Sequence, residues 1–146
     1  MKFSTAILAL CSVVLHGKDH RDPLDAARCL RVVVAIEGSS RDHVSKTGAL
    51  GIYQIQPATW AQYSKMPPST ATKGTPEAIA ETERVALAHA SWIIRVAIPD
   101  LGIPETPYSF ALVFGPGFGH VSKLNLSPKN VECARRFSNL YLDPTF

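Results

Sequence analysis

Cysteine, charge of a single sign and long apolar runs are all scarce in this sequence. Its 146 residues include three cysteines and carry a net charge of +3, with lysine and arginine scattered among acids. Scattered charge argues against the basic stripe that nucleic-acid binding needs. No apolar run is long enough for a lasting membrane span, and nothing repeats at a fixed period. With 46% hydrophobic and 18% charged residues, the chain is expected to form one compact globular domain without a nucleic-acid partner.

The few cysteines and histidines do not form a metal-binding pattern. His89 and His120 each stand alone, without a second ligand at the spacing of a zinc site, so we expect neither a metal nor a cofactor. Cys11 lies in an apolar N-terminal stretch, which leaves Cys29 and Cys133 as a pair. In an exported protein such a pair can form a disulfide, and the alternative is two buried thiols.

The first 17 residues have the pattern of a secretory signal. Lys2 gives a positive start, and an almost unbroken apolar stretch runs from residue 3 to residue 15, before the charged residues that begin at Lys18. We expect cleavage near Gly17 and export to the periplasm, the cell envelope or the medium. Two alternatives stay open, namely an uncleaved leader and a lipoprotein modified at Cys11.

Helix signals dominate the rest of the chain, and no alternating strand pattern competes with them. A capping side chain followed by proline marks the start of a helix and occurs at four positions. These are Asp22-Pro23, Thr75-Pro76, Thr106-Pro107 and Ser127-Pro128. We expect helices over 23–36, 57–63, 76–98 and 107–114 and from Pro128 onward, with a polar loop over 69–74. The predicted class is all-α, with a short β turn near Tyr53.

The residues suited to chemistry lie between the end of the first helix and Trp60. The residues before Glu37 are apolar nearly all round the helix, so we expect its last turns to be buried and the pKa of Glu37 to be raised, as a general acid requires. A polar loop and a tight glycine turn follow. Tyr53, Gln54 and Gln56 then bring aromatic and amide groups suited to sugars. The alternative is a solvated carboxylate at a helix terminus.

This stretch resembles the catalytic motif of the soluble lytic transglycosylase domain, a relative of goose-type lysozyme. Glu37 and the run SKTGALGIYQIQPATW over residues 45–60 follow that motif, and residues 111–117 and 134–141 are similar to two later segments of the family. The likeness extends over nearly all of residues 18–146. It implies one lysozyme-like helical domain with a substrate cleft, acting as a monomer on peptidoglycan glycan strands.

The resemblance also implies roles for individual residues. Glu37 is the acid and base that cleaves the bond between N-acetylmuramic acid and N-acetylglucosamine, leaving a 1,6-anhydro end. The substrate-binding residues that it implies are Ser45, Tyr53, Gln54, Gln56 and Phe114.

Three positions depart from the family pattern. Gly38 stands where a serine is usual, Gly115 where an asparagine is usual, and Cys133 where a tyrosine is usual. The last two departures remove an amide and a hydroxyl that would serve the substrate or the acid. Two alternative functions stay open. One is a hydrolysing lysozyme that uses Asp42 as a second carboxylate. The other is a wall-binding protein without turnover.

Overall fold

The computed structural model describes residues 22–146, except for the side chain of residue 118. The leader predicted over residues 1–17, with Cys11, lies outside the described residues. The described chain is mostly helical with almost no strand, which confirms the all-α prediction. Its α-helices are α1 (Ala26–Glu37), α2 (Pro57–Tyr63), α3 (Pro76–Trp92), α4 (Ile98–Leu101), α5 (Pro107–Phe114), α6 (Phe118–Ser122) and α7 (Pro128–Leu142). A 3-10 helix at Pro68–Thr72 precedes α3, and a π-helical segment at Ile93–Ala97 follows it.

The first of two compact units is Ala26–Trp92. Helix α3 is its central element, because α1, α2 and the 3-10 helix all pack against it. Trp60 is fully buried, and its indole N–H donates to the Met66 carbonyl at 2.8 Å, so the buried ring leaves no unpaired donor. The other residues of this unit with no exposed surface are Cys29, Val32, Ala71, Val85, Ala86 and Ala90.

A hydrogen-bonded group fastens the end of α2 to α3. Glu81 accepts from the Ser64 hydroxyl at 2.6 Å and from Arg84 Nε at 2.9 Å, while Arg84 Nη2 donates to the Tyr63 carbonyl. The Arg84 bonds, and after them the Ser64 bond, lower the pKa of Glu81 to about 2. The carboxylate therefore stays charged over the whole physiological range.

The second compact unit comprises residues 22–25 and Ile93–Phe146. Helix α5 packs against α7, and aromatic rings fill the space between them. The Phe110 and Phe137 ring centroids are 5.5 Å apart, and those of Phe137 and Tyr141 are 6.4 Å apart. All three residues are buried, so this stack is the core of the unit.

Three of the four predicted capping positions begin a helix as expected. In each of them the hydroxyl accepts the backbone N–H three residues further on, which satisfies an amide that the first helical turn leaves without a partner. The bonds are Thr75 to Ala78 at 3.3 Å, Thr106 to Ser109 at 3.1 Å and Ser127 to Asn130 at 3.2 Å.

The prediction of a helix start at Asp22-Pro23 is wrong, because α1 begins three residues later. The amides that an earlier helix would place in its first turn have distant partners instead. Leu24 N–H donates to Glu105 Oε1 at 2.9 Å, and Asp25 N–H donates to the Tyr141 hydroxyl at 3.0 Å. These tertiary hydrogen bonds take the place of the bonds of a first helical turn.

The helix predicted over 76–98 does not run unbroken to its predicted end. It changes to π-helical spacing after Trp92, and α4 then continues through Pro99 until Gly102 closes it. Proline has no N–H, and its ring would clash with the Arg95 carbonyl in a regular α-helix. The wider turn before Pro99 gives that ring room.

Two further predictions fail in segments of low helix propensity. The polar loop expected over 69–74 is largely the 3-10 helix, because Thr70 and Ala71 are buried against α3 and need local backbone bonds. The helices expected from the sequence include none between residue 114 and Pro128, yet α6 forms there. None of the helices between residues 22 and 146 is both long and apolar enough to cross a membrane.

Candidate functional site

Glu37 is the last residue of α1, and its surroundings differ from those expected. Gly38 ends the helix in the left-handed region at φ +58°, a conformation that glycine adopts without strain. Glu37 is exposed, Ala35 is exposed and Ile36 is half-buried, so the prediction that the last turns are buried on most sides is wrong. The buried residues of the helix are Cys29, Leu30, Val32 and Val33, and the helix packs on α3. The burial on which that expectation for Glu37 rested is therefore absent at the end of α1.

A short antiparallel arrangement orders the loop that follows. Leu50 forms β bridges with both Val44 and Ile55, and its N–H donates to the Ile55 carbonyl at 2.9 Å. The turn enclosed by the second bridge covers residues 51–54, which confirms the short β turn predicted near Tyr53. The loop is therefore a fixed scaffold for the side chains on it.

Gly51 fixes this scaffold to the 3-10 helix. The residue is buried, has φ +69°, and lies so close to the Ala71 carbonyl that a Cβ would be 2.5 Å from the oxygen. No side chain fits at that distance without backbone movement. A glycine is therefore needed at this position both for its backbone conformation and for the close approach.

Ser45 and Gln56, two of the predicted sugar contacts, belong to one hydrogen-bonded group. Ser45 Oγ accepts the Ala49 N–H at 3.0 Å and lies 3.0 Å from Thr47 Oγ1. Gln56 Nε2 donates to the same Thr47 oxygen at 3.4 Å. Thr47 and Gln56 are exposed and Ser45 is half-buried, so the group faces solvent. Sequence reasoning missed Thr47, because nothing in its position along the chain shows that it links the two ends of the loop.

Gln54, the other predicted amide contact, is turned toward its own backbone. It has a positive φ of 50°, and its Nε2 donates to the Gly51 carbonyl at 2.7 Å. Its backbone N–H donates to the same carbonyl at 3.2 Å. The side chain is half-buried and stabilises the turn, so one of its donors already has a partner.

Tyr53 is half-buried, and two side chains of opposite charge act on its hydroxyl. Burial raises the pKa of its hydroxyl, the Glu83 carboxylate raises it further, and the Arg41 guanidinium acts in the opposite direction. Arg41 comes from the loop after Glu37, and its Nη1 is buried without a hydrogen-bond partner among residues 22–146. A buried donor of this kind is uncommon and was not predicted from the sequence.

Asp42 has the features of a solvated loop residue with a local partner. It is exposed, and its Oδ1 accepts from the Ser40 hydroxyl at 2.6 Å. That hydrogen bond is the main cause of a lowered pKa, so the carboxylate is ionised at neutral pH.

Phe114, Gly115 and Cys133 lie in the second unit. Phe114 ends α5, half-buried, with its ring stacked on Phe110 at 5.5 Å, and Gly115 is exposed directly after it. Cys133 is half-buried on α7 and Cys29 is buried on α1; both carry thiols rather than a disulfide. The first unit thus contains all of the predicted site residues except Phe114.

A cluster of rings lies where α2 meets α3. The His89 ring is 5.9 Å from that of Tyr63 and 6.1 Å from that of Trp92, to which it is nearly parallel. Burial lowers the pKa of His89 to about 4, so the imidazole is neutral at pH 7. The histidine behaves as an aromatic packing residue.

Neither a search for metal-binding groups nor comparison with known proteins adds a residue to the site. In the described part of the chain, no group of three or more histidine, cysteine, aspartate or glutamate side chains is placed to hold a metal ion. Comparison with protein-family models, with curated proteins and with solved structures finds no match to this chain.

Proposed function

We propose that the protein is a peptidoglycan lytic transglycosylase with Glu37 as its acid and base. One observation carries the proposal: an exposed carboxylate ends α1, and the same unit holds a bridged loop with an exposed group of hydroxyl and amide side chains. The order of these residues resembles the soluble lytic transglycosylase motif. Such a group offers the donors and acceptors that sugar hydroxyl and acetamido groups need.

The reaction needs one carboxyl group and no water. Glu37 donates its proton to the glycosidic oxygen between N-acetylmuramic acid and N-acetylglucosamine, and the C1–O bond breaks with its electron pair on the leaving oxygen. The Glu37 carboxylate then takes the proton of the muramyl C6 hydroxyl. The C6 oxygen bonds to C1, which closes a 1,6-anhydro ring and returns the acid to its starting form.

A hydrolysing lysozyme that uses Asp42 as a second carboxylate is the alternative enzyme. A hydrolase needs an ionised carboxylate to activate water or stabilise charge, and Asp42 is ionised at neutral pH. Its hydrogen bond with Ser40 gives it a local role instead. A third candidate is a wall-binding protein without turnover, which the departures at Gly115 and Cys133 suggest. The digestion experiment described next distinguishes it from both enzymes.

Mass spectrometry of peptidoglycan digested by the purified protein tests the proposal. We expect 1,6-anhydromuramyl ends, each lighter by one water than a reducing end. Glu37→Gln should lower the rate by at least about 100-fold, because an amide has no proton to give. The same variant should keep its thermal stability and its binding to sacculi. Glu77→Gln is the matched control, an exposed glutamate in the first turn of α3, and should keep the full rate.

Each opposite outcome identifies a different error. Reducing ends, together with a large loss of rate in Asp42→Asn, would establish a hydrolase. Binding to sacculi without any cleavage would leave a wall-binding protein. Turnover by Glu37→Gln above a few per cent of the native rate would remove Glu37 as the acid.

A further inference from the structure

We propose that Thr47 is a positioning residue for glycan binding, which acts by holding Ser45 and Gln56 in one hydrogen-bonded group. This inference rests on the proposed function and goes beyond it, because Thr47 itself need not touch the reacting atoms.

The geometry gives Thr47 the central place in the group. Its Oγ1 lies 3.0 Å from Ser45 Oγ and 3.4 Å from Gln56 Nε2. Ser45 and Thr47 share one tight turn, whereas Gln56 lies nine residues beyond Thr47 and directly precedes α2. Within the described residues, no other side chain joins the start of the bridged loop to its end through a hydrogen bond. Thr47 therefore links the side chains of the two predicted sugar contacts.

The hydrogen bonds leave donors for a ligand. Each hydroxyl has one hydrogen, and Ser45 Oγ already accepts the Ala49 N–H. The Ser45–Thr47 pair uses one of its two hydroxyl hydrogens between its members, so the other points away from the pair. The Gln56 amide uses one N–H toward Thr47 and retains a second N–H and its carbonyl. The exposed face of the group therefore combines donors with an acceptor, as the hydroxyl and acetamido groups of an amino sugar require.

Without the Thr47 hydroxyl, Gln56 would be an exposed side chain with several rotamers. Binding would then have to order it, which opposes association. The loss should weaken binding in the ground state and the transition state alike, and such a uniform loss raises KM without changing kcat.

Three matched variants test this role on purified peptidoglycan strands. Thr47→Val keeps the side-chain shape and removes the hydroxyl, while Thr47→Ser keeps the hydroxyl. Thr72→Val is the control: it removes another threonine hydroxyl of the first unit, one that donates to the Ser69 carbonyl at 2.9 Å in the 3-10 helix. We expect Thr47→Val to raise KM by about 3- to 10-fold, as for one lost hydrogen bond, with kcat within about two-fold. Thr47→Ser and Thr72→Val should keep the native KM.

Nuclear magnetic resonance of the ligand-free protein gives a readout that does not depend on activity. The side-chain amide resonances of Gln56 should move in Thr47→Val and stay near their native positions in Thr47→Ser. A Thr47→Val protein with native KM and native Gln56 resonances would overturn the inference and leave the proposed function standing. If the native protein binds sacculi without cleaving them, the dissociation constant replaces KM in the same comparison. If it neither binds nor cleaves, the proposed function fails, and the role of Thr47 in glycan binding fails with it.

Discussion

Alanine at Gly51 should destabilise the first unit more than alanine at Gly48, the other glycine of the bridged loop. Gly51 combines a left-handed backbone at φ +69° with a close approach to the 3-10 helix, where an added Cβ would meet the Ala71 carbonyl oxygen at 2.5 Å. The Ala71 carbonyl is part of the backbone, so it cannot move aside by a rotamer change. The β-bridged loop and the 3-10 helix would have to separate.

The magnitude follows from two additive terms. A left-handed L-residue costs about 1–2 kcal/mol relative to glycine. Forcing an extra methyl group into a packed contact costs about 1–3 kcal/mol. We therefore expect Gly51→Ala to lose about 2–4 kcal/mol of unfolding free energy, after a small gain from the stiffer unfolded chain. Gly48→Ala is the matched control, because Gly48 has φ +85° but a Cβ added there would meet nothing within 4 Å, so only the first term applies.

Urea unfolding followed by circular dichroism measures the difference between the two variants. With a slope of about 2 kcal/mol per molar urea, the steric term should lower the midpoint of Gly51→Ala by about 1 M more than that of Gly48→Ala. Equal midpoints for the two variants would refute the reasoning, since they would mean that the 3-10 helix yields without cost. In that case the loop would not be fixed in the way that the candidate site requires.

The remaining predictions concern pH, and each has its own window. Glu81 has a pKa of about 2 in the folded chain against 4.5 in the unfolded chain, so its stabilisation is complete above pH 4.5 and is lost as the pH falls toward 2. Because Arg84 is 54% exposed, solvent screening limits this stabilisation to about 1 kcal/mol. In Glu81→Gln, the urea midpoint should depend less on pH between those two values. His89 has a pKa of about 4 in the folded chain against 6.5 unfolded, so stability is complete above pH 6.5 and falls as the pH drops toward 4. His89→Phe should remove the pH dependence of the urea midpoint between pH 4 and 6.5 and leave it unchanged at lower pH. An unchanged dependence in that range would show that the imidazole takes up its proton without opening the ring cluster.

The helices were predictable where a local signal had no competitor. Thr75, Thr106 and Ser127 each cap the helix that the following proline begins, because the capping bond spans three residues and needs nothing from elsewhere in the chain. The same signal at Asp22 failed because Glu105 offers the Leu24 amide a partner that lies far away in sequence. A local pattern cannot show such a competitor.

The site was predictable as a stretch of chain, and less so as an arrangement of side chains. The glycine turn and its bridges follow from local preferences, and the turn near Tyr53 was expected. Which amides face solvent depends on single backbone angles. Gln54 has a positive φ, and its side-chain amide donates to the Gly51 carbonyl. Gln56 is exposed, and its side-chain amide donates to the Thr47 hydroxyl. These hydrogen bonds favour Gln56 over Gln54 as a sugar contact.

Two lines of reasoning select Glu37, and the structure separates them. The physical one interprets the apolar run before it as burial on most sides, but α1 has two faces. Val32 and Val33 are buried while Ala35 is exposed, so aliphatic composition at the end of a short helix does not by itself desolvate the residue that follows. The other line rests on the order of motif residues and does not depend on burial. The proposal of Glu37 as the acid therefore rests on that order and on the exposed carboxylate at the end of α1.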